Sequence, residues 1–194
     1  MTPLTQRQVA VRAQETAAQL LSALDREGMV ARFLNSYAKE ARRPGRTANP
    51  ERYRELVDTI RRESLLVLVL EVEAEAPSRL GVRMAGHATP EQSKLLALFR
   101  EEFYSALERG LGWEDEDFSA FLRDLDLYRK LYGDFTPRSR GRAPSDSPMG
   151  PFVDRCAILL DPAMLDLARR AAAKFEAELV ALASARLKKI ISRR

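Results

Sequence analysis

Ser64-Leu-Leu-Val-Leu-Val-Leu-Glu-Val-Glu-Ala-Glu-Ala76 is the stretch whose reading decides the fold. From Glu71 onward it alternates Glu with Val or Ala, and its Val residues suit a pleated surface, so a strand is one reading. The other is the middle of a helix that starts at Asn49-Pro50. There Asn caps the free amides, and Pro needs no N–H partner at the first helical position. No breaker follows until Pro77, and Tyr53, Leu56, Val57 and Ile60 carry helical spacing. As a helix, residues 50–76 would span about 40 Å, apolar all round in the middle, which belongs at the centre of a bundle. A strand would need a partner, and the candidate, Leu80-Gly-Val-Arg-Met-Ala-Gly86, is short and weakened by its glycines. A helix is therefore expected. The alternative is a short β-hairpin within residues 64–88, which would make the chain α+β.

The segments on either side carry the same 3.6-residue period. Thr5 and Gln8 form a capping box for a helix to about Glu27, with Val9, Ala13, Ala17, Leu20, Leu21 and Leu24 inward and Gly28 as its left-handed cap. A second helix is expected from Val30 to Arg42, burying Phe33, Leu34, Tyr37 and Ala41. Thr89-Pro90-Glu91-Gln92 is the strongest local signal, a capping Thr followed by Pro and then Gln at the third helical position. The helix it opens buries Leu95, Leu96, Phe99, Phe103, Ala106 and Leu107 and is expected to stop at Gly110. Glu114 to Tyr132 follows, with Phe118, Phe121, Leu122, Leu125, Tyr128 and Tyr132 inward and Gly133 as terminator. Residues 133–151, rich in Gly, Pro, Ser and Arg, read as a flexible loop. Asp161-Pro162 starts a last helix to Ile191, with Leu165, Ala168, Ala172, Phe175, Leu179, Leu182, Leu187 and Ile190 on one side. The expected fold is mainly α, a bundle of five to six helices in a single domain over 1–194.

The chain's 194 residues suit one domain with a sizeable core. With 45% hydrophobic residues it is too apolar for wholesale disorder, and a mean hydropathy of −0.32 is ordinary for a soluble protein. The longest strongly apolar run, Leu65–Leu70, is far short of the roughly 20 residues that span a bilayer, so no membrane is expected. Behind Arg7 there is no apolar segment of the secretory kind, and the cytoplasm is the expected location.

Counts exclude several chemistries. One Cys rules out an internal disulfide framework, and one His rules out every multi-histidine metal site, including the paired Glu-x-x-His ligands of di-iron bundles. There is no phosphate-binding P-loop, no dinucleotide fingerprint and no nucleophile elbow. The groups that remain have structural explanations. His87 reads as a loop histidine and Cys156, on an apolar flank, as an inert buried thiol. Glu114-Asp-Glu-Asp117 opens a helix, where negative charge is stabilised, and Trp113 and Phe118 are spaced as a hydrophobic staple. Asp124-Leu-Asp126 lies inside a helical pattern rather than after a strand, and Tyr104, Tyr128, Tyr132 and Phe135 read as core aromatics. No catalytic, cofactor or metal residue is assigned.

Charge is the one functional hint. The net charge is +4, with basic stretches at Arg42, Arg43 and Arg46, at Arg138, Arg140 and Arg142, and at Arg186, Lys188, Lys189, Arg193 and Arg194. Residues 101–126 are acidic by contrast. The expected function is a non-enzymatic bundle acting through protein–protein interaction, with a protein partner or a second copy of itself. The alternative is a nucleic-acid-binding regulator whose phosphate contacts are Arg138, Arg140, Arg142, Lys188, Lys189, Arg193 and Arg194.

Overall fold

The computed structural model describes residues 4–41, 50–82, 88–132 and 151–191. Helices α1 (Gln6–Asp25), α2 (Met29–Glu40), α3 (Pro50–Arg79), α4 (Pro90–Leu111), α5 (Asp115–Tyr132), α6 (Pro151–Leu160) and α7 (Leu165–Ile191) make up these residues, with a 3-10 turn at Pro162–Met164. Among the described residues there is no strand, so the chain is mainly α and residues 64–79 belong to α3. The helix that the sequence did not place is α6. Among the described residues no helix is long and apolar enough to cross a membrane.

The 30 residues of α3 make it about 45 Å long, and every residue from 63 to 69 is buried. A helix with no exposed face over two turns must be surrounded, and α3 contacts all six other helices. It continues through Pro77 to Arg79, although the proline removes one i→i−4 donor from this turn. The helix then closes through Gly81 in the left-handed region (φ 73°). The Gly81 amide donates to Ser78 O at 3.2 Å and the Val82 amide to Pro77 O at 2.8 Å. These bonds satisfy otherwise orphaned carbonyls, and Val82 is buried beneath them.

The capping boxes at Thr5/Gln8 and Thr89/Gln92 form as read. Gly28 adopts φ 61° between α1 and α2, as a left-handed link between two helices demands. Gly110 does not end α4. The helix runs on to Leu111, and Gly112 (φ 61°) supplies the left-handed residue. Gly110 instead lets α1 approach, since a Cβ there would lie 2.5 Å from Leu21 Cδ1. Asp161 caps the 3-10 turn by accepting from the Ala163 amide at 3.1 Å. The far end of α7 is also fixed. Ile190 and Ile191 are buried, and Arg12 of α1 donates to Ile191 O at 2.8 Å.

Candidate functional site

The polar side chains inside the bundle sit mainly on α3, and Glu63, Glu73 and Glu75 join it to its neighbours. At about 100° per residue Glu73 lies on the opposite side of α3 from Glu71 and Glu75, which are four apart and share a face, so Glu73 and Glu75 meet different neighbours. Glu73 accepts a forked pair from Arg129, Nε to Oε2 at 2.9 Å and Nη2 to Oε1 at 2.7 Å. The Tyr104 hydroxyl donates to the same Oε1 at 2.7 Å and accepts from Arg129 at 2.9 Å. One carboxylate thus clasps α3, α4 and α5 together. Burial pushes the Tyr104 hydroxyl pKa well up, with Glu73 adding to it, so Tyr104 stays a neutral donor. Glu75 accepts from Ser184 of α7 at 2.9 Å and lies 3.4 Å from Arg79.

Glu63 is as enclosed as Glu75. Its side chain is 4% exposed, accepts from the Tyr128 hydroxyl, and lies 3.2 Å from the Arg155 guanidinium of α6. Arg155 also stacks over the Tyr128 ring, 5.8 Å from its centroid. Burial raises the Glu63 pKa above 4.5, and nearby Asp124 adds to the rise; the hydrogen bond from Tyr128 and the positive charges of Arg155 and Arg62 oppose it. Cys156 is fully buried beside this group, and burial pushes its thiol well up, as expected of an unreactive cysteine.

A raised carboxyl pKa has a signed consequence for stability. Above pH 4.5 the unfolded chain releases this proton while native Glu63 still holds it. The contribution is therefore full below that value and is lost as pH rises through the folded pKa. Glu63→Gln, which keeps an acceptor for Tyr128, is expected to remove this part of the pH dependence. Urea midpoints of both proteins between about pH 4 and about pH 8 measure it, and identical slopes would refute the assignment.

Among the described residues no group of three or more His, Cys, Asp or Glu side chains is arranged to hold a metal ion. The clusters on α3 are ion pairs and hydrogen bonds that tie helices together, a structural chemistry.

The outer surface offers something different. Leu127 (48% exposed) and Leu131 (57%) lie one turn apart on α5, and Ile158 (61%) with Leu159 (38%) lies on α6. The two helices touch, and Arg155 reaches from α6 across Tyr128 of α5. Met164, in the turn after α6, is 37% exposed. These are five of the six large exposed apolar side chains among the described residues; the sixth, Val11, is on α1. Leu127 and Leu131 were not among the residues read as inward, yet nothing in the sequence marked them as exposed together with α6.

Of the candidate phosphate contacts, Lys188 and Lys189 are exposed near the end of α7, while neighbouring Arg186 pairs with Glu27 at 2.7 Å. Arg138, Arg140, Arg142, Arg193 and Arg194 lie outside the described residues, as do Arg42, Arg43, Arg46, His87, Phe135 and residues 133–150 of the loop read at 133–151, whose last residue, Pro151, opens α6 instead. Trp113 packs edge-on against Phe121, 5.7 Å between ring centroids, under the Arg62 guanidinium. Comparison with known protein families, curated proteins and solved structures found no match.

Proposed function

We propose that this chain is a non-enzymatic helical-bundle protein that works by binding protein through the α5–α6 face. The observation that carries this reading is the exposure of Leu127, Leu131, Ile158 and Leu159 on two touching helices. Single exposed apolar residues are ordinary, but a cluster on adjacent elements loses hydration cost when a partner covers it. The interior gives a supporting contrast. Its carboxylates at positions 63, 73 and 75 are engaged in joining α3 to α4, α5, α6 and α7, so their burial is accounted for by assembly of the bundle. In this reading the protein works in the cytoplasm, where a buried thiol such as Cys156 stays reduced.

A photo-crosslinking residue at position 131 or 158, in cells making the full chain, tests the face directly. Adducts with protein are expected from both positions and none from exposed position 94 on α4. Absence of adducts at 131 and 158, or equal yield at 94, would overturn the reading.

A further inference from the structure

Four helix ends meet at one end of the bundle. Helices α1 and α4 run side by side in the same direction: Gln14 donates to Glu102 at 2.7 Å, and further along both helices Leu21 lies against Gly110. Their first turns are therefore level. Gln92, in the first turn of α4, donates to Gly81 O at 2.8 Å, which brings in the end of α3. Arg12 of α1 donates to Ile191 O, which brings in the end of α7.

Charge at this end is one-sided. In the first two turns of α1 and α4 and the last turn of α7, the exposed charged side chains are Arg7, Lys94, Lys188 and Lys189 against Glu91. None of these four cations has an ion-pair partner among the described residues. Arg12, Arg79 and Arg186 are not counted with them, because the Ile191 carbonyl, Glu75 and Glu27 hold them. At the far ends of α1 and α4 acids return, where Asp25, Glu27 and Glu108 stand with Arg26 and Arg109. Helix dipoles do not account for the basic end. Cations suit the last turn of α7, but Arg7 sits in the first turn of α1, where free amides disfavour positive charge. Two helix starts and two helix ends in one place also cancel, so the field there is that of the side chains.

Dense, regular negative charge is what such a surface recognises. Residues 6–12, 76–79, 90–96 and 188–191 carry no aromatic side chain on which unpaired bases could stack. Val11 is the large apolar side chain exposed among them, too little for the desolvated centre of a protein interface or for insertion among lipid tails. The phosphates of a duplex require neither. They follow one another at about 1.7 Å along the axis, so a face of four helix ends, about 20 Å across, spans about a dozen of them. We infer that the end of the bundle where α1, α3, α4 and α7 converge is a contact surface for the phosphate backbone of a nucleic-acid duplex, held by Arg7, Lys94, Lys188 and Lys189 without reading the bases. It uses other helices than the α5–α6 face, so each stands or falls alone.

Fluorescence anisotropy of a labelled DNA duplex of about 20 base pairs, titrated with the full chain at several salt concentrations, is the test. Four contacts at about 0.9 each make affinity fall at least about a hundredfold between about 50 and about 200 mM salt. Arg7→Gln with Lys94→Gln is expected to lower the salt slope by about two units, and Lys188→Gln with Lys189→Gln to do the same. Arg26→Gln with Arg109→Gln, at the far ends of α1 and α4, should leave it unchanged. Circular dichroism of each variant reports that the bundle remains folded. No binding by the unaltered chain at low salt would overturn the inference. So would a slope untouched by the Arg7 and Lys94 changes, which would put the contacts elsewhere, or one lowered equally by the Arg26 and Arg109 changes, which would make the attraction diffuse. Binding to phosphatidylserine vesicles with none to the duplex would overturn the duplex in favour of a lipid surface.

Discussion

Replacing Phe175 by alanine is expected to lower stability by about 3–5 kcal/mol, a third or more of what a domain of ordinary stability possesses. Phe175 is 2% exposed and stacks on Phe33 of α2, with 4.3 Å between centroids and planes 6° apart. On its other side Phe152 of α6 lies 6.2 Å away at 45°. One ring on α7 therefore holds two short helices, and its loss leaves a void that three backbones would have to move to fill. The aromatic pairing itself adds about 0.5–1.5 kcal/mol beyond the buried area. Urea denaturation measures the effect as a lower midpoint at unchanged slope. Phe175→Leu, which refills part of the volume, should cost much less. A loss below about 1 kcal/mol for the alanine variant would show that this junction is not packed as described.

How much of this was legible beforehand depended on the distance over which each signal acts. Capping boxes and apolar spacing are local, so the ends and inner faces of α1 and α4 could be read directly, Thr5 with Gln8 and Thr89 with Gln92. The run at residues 64–76 was harder, because Glu alternating with Val and Ala has the period of a strand. Its resolution is non-local. Glu73 is held by Tyr104 and Arg129, 31 and 56 residues away, and Glu75 by Ser184, 109 residues away. No window of sequence contains those partners. The α6 helix escaped for a different reason. Ten residues give too few turns to establish a period, and Pro151 abuts a polar, glycine-rich stretch, although Pro at the first helical position was itself a start signal. Gly110 was misread as a stop because a glycine that ends a helix and one that admits a neighbour look alike in sequence; only the approach of Leu21 distinguishes them. The candidate interface was the least legible feature. Leu127 and Leu131 are ordinary leucines in an amphipathic helix, and their exposure depends on where α3 and α6 sit against α5.

Truncation after Leu187 is expected to destabilise the bundle severely, because it removes Ile190 and Ile191. Both are buried, at 0% and 8% exposure. Removing two buried isoleucines costs about 3–6 kcal/mol at roughly 1.5–3 kcal/mol each. The same cut takes away the Ile191 carbonyl that accepts from Arg12, whose guanidinium is drawn out of water at the C-terminal end of α7. A cation at that end is also favoured by the aligned peptide dipoles, so α1 and α7 lose an attachment together. Thermal melts of chains ending at Leu187 and at Ile191 separate the contributions: the first should melt far below the full chain, the second close to it. Equal melting of the two truncations would show that the end of α7 does not belong to the core. The polyanion reading of Lys188 and Lys189 must accordingly be tested by charge and not by deletion. Lys188→Gln with Lys189→Gln keeps both isoleucines, and a duplex-DNA titration at low salt then reports the charges alone, because each lost phosphate contact lowers the salt slope by about one unit. If the unaltered chain shows no binding at low salt, where attraction to phosphate is strongest, the polyanion reading of those lysines fails.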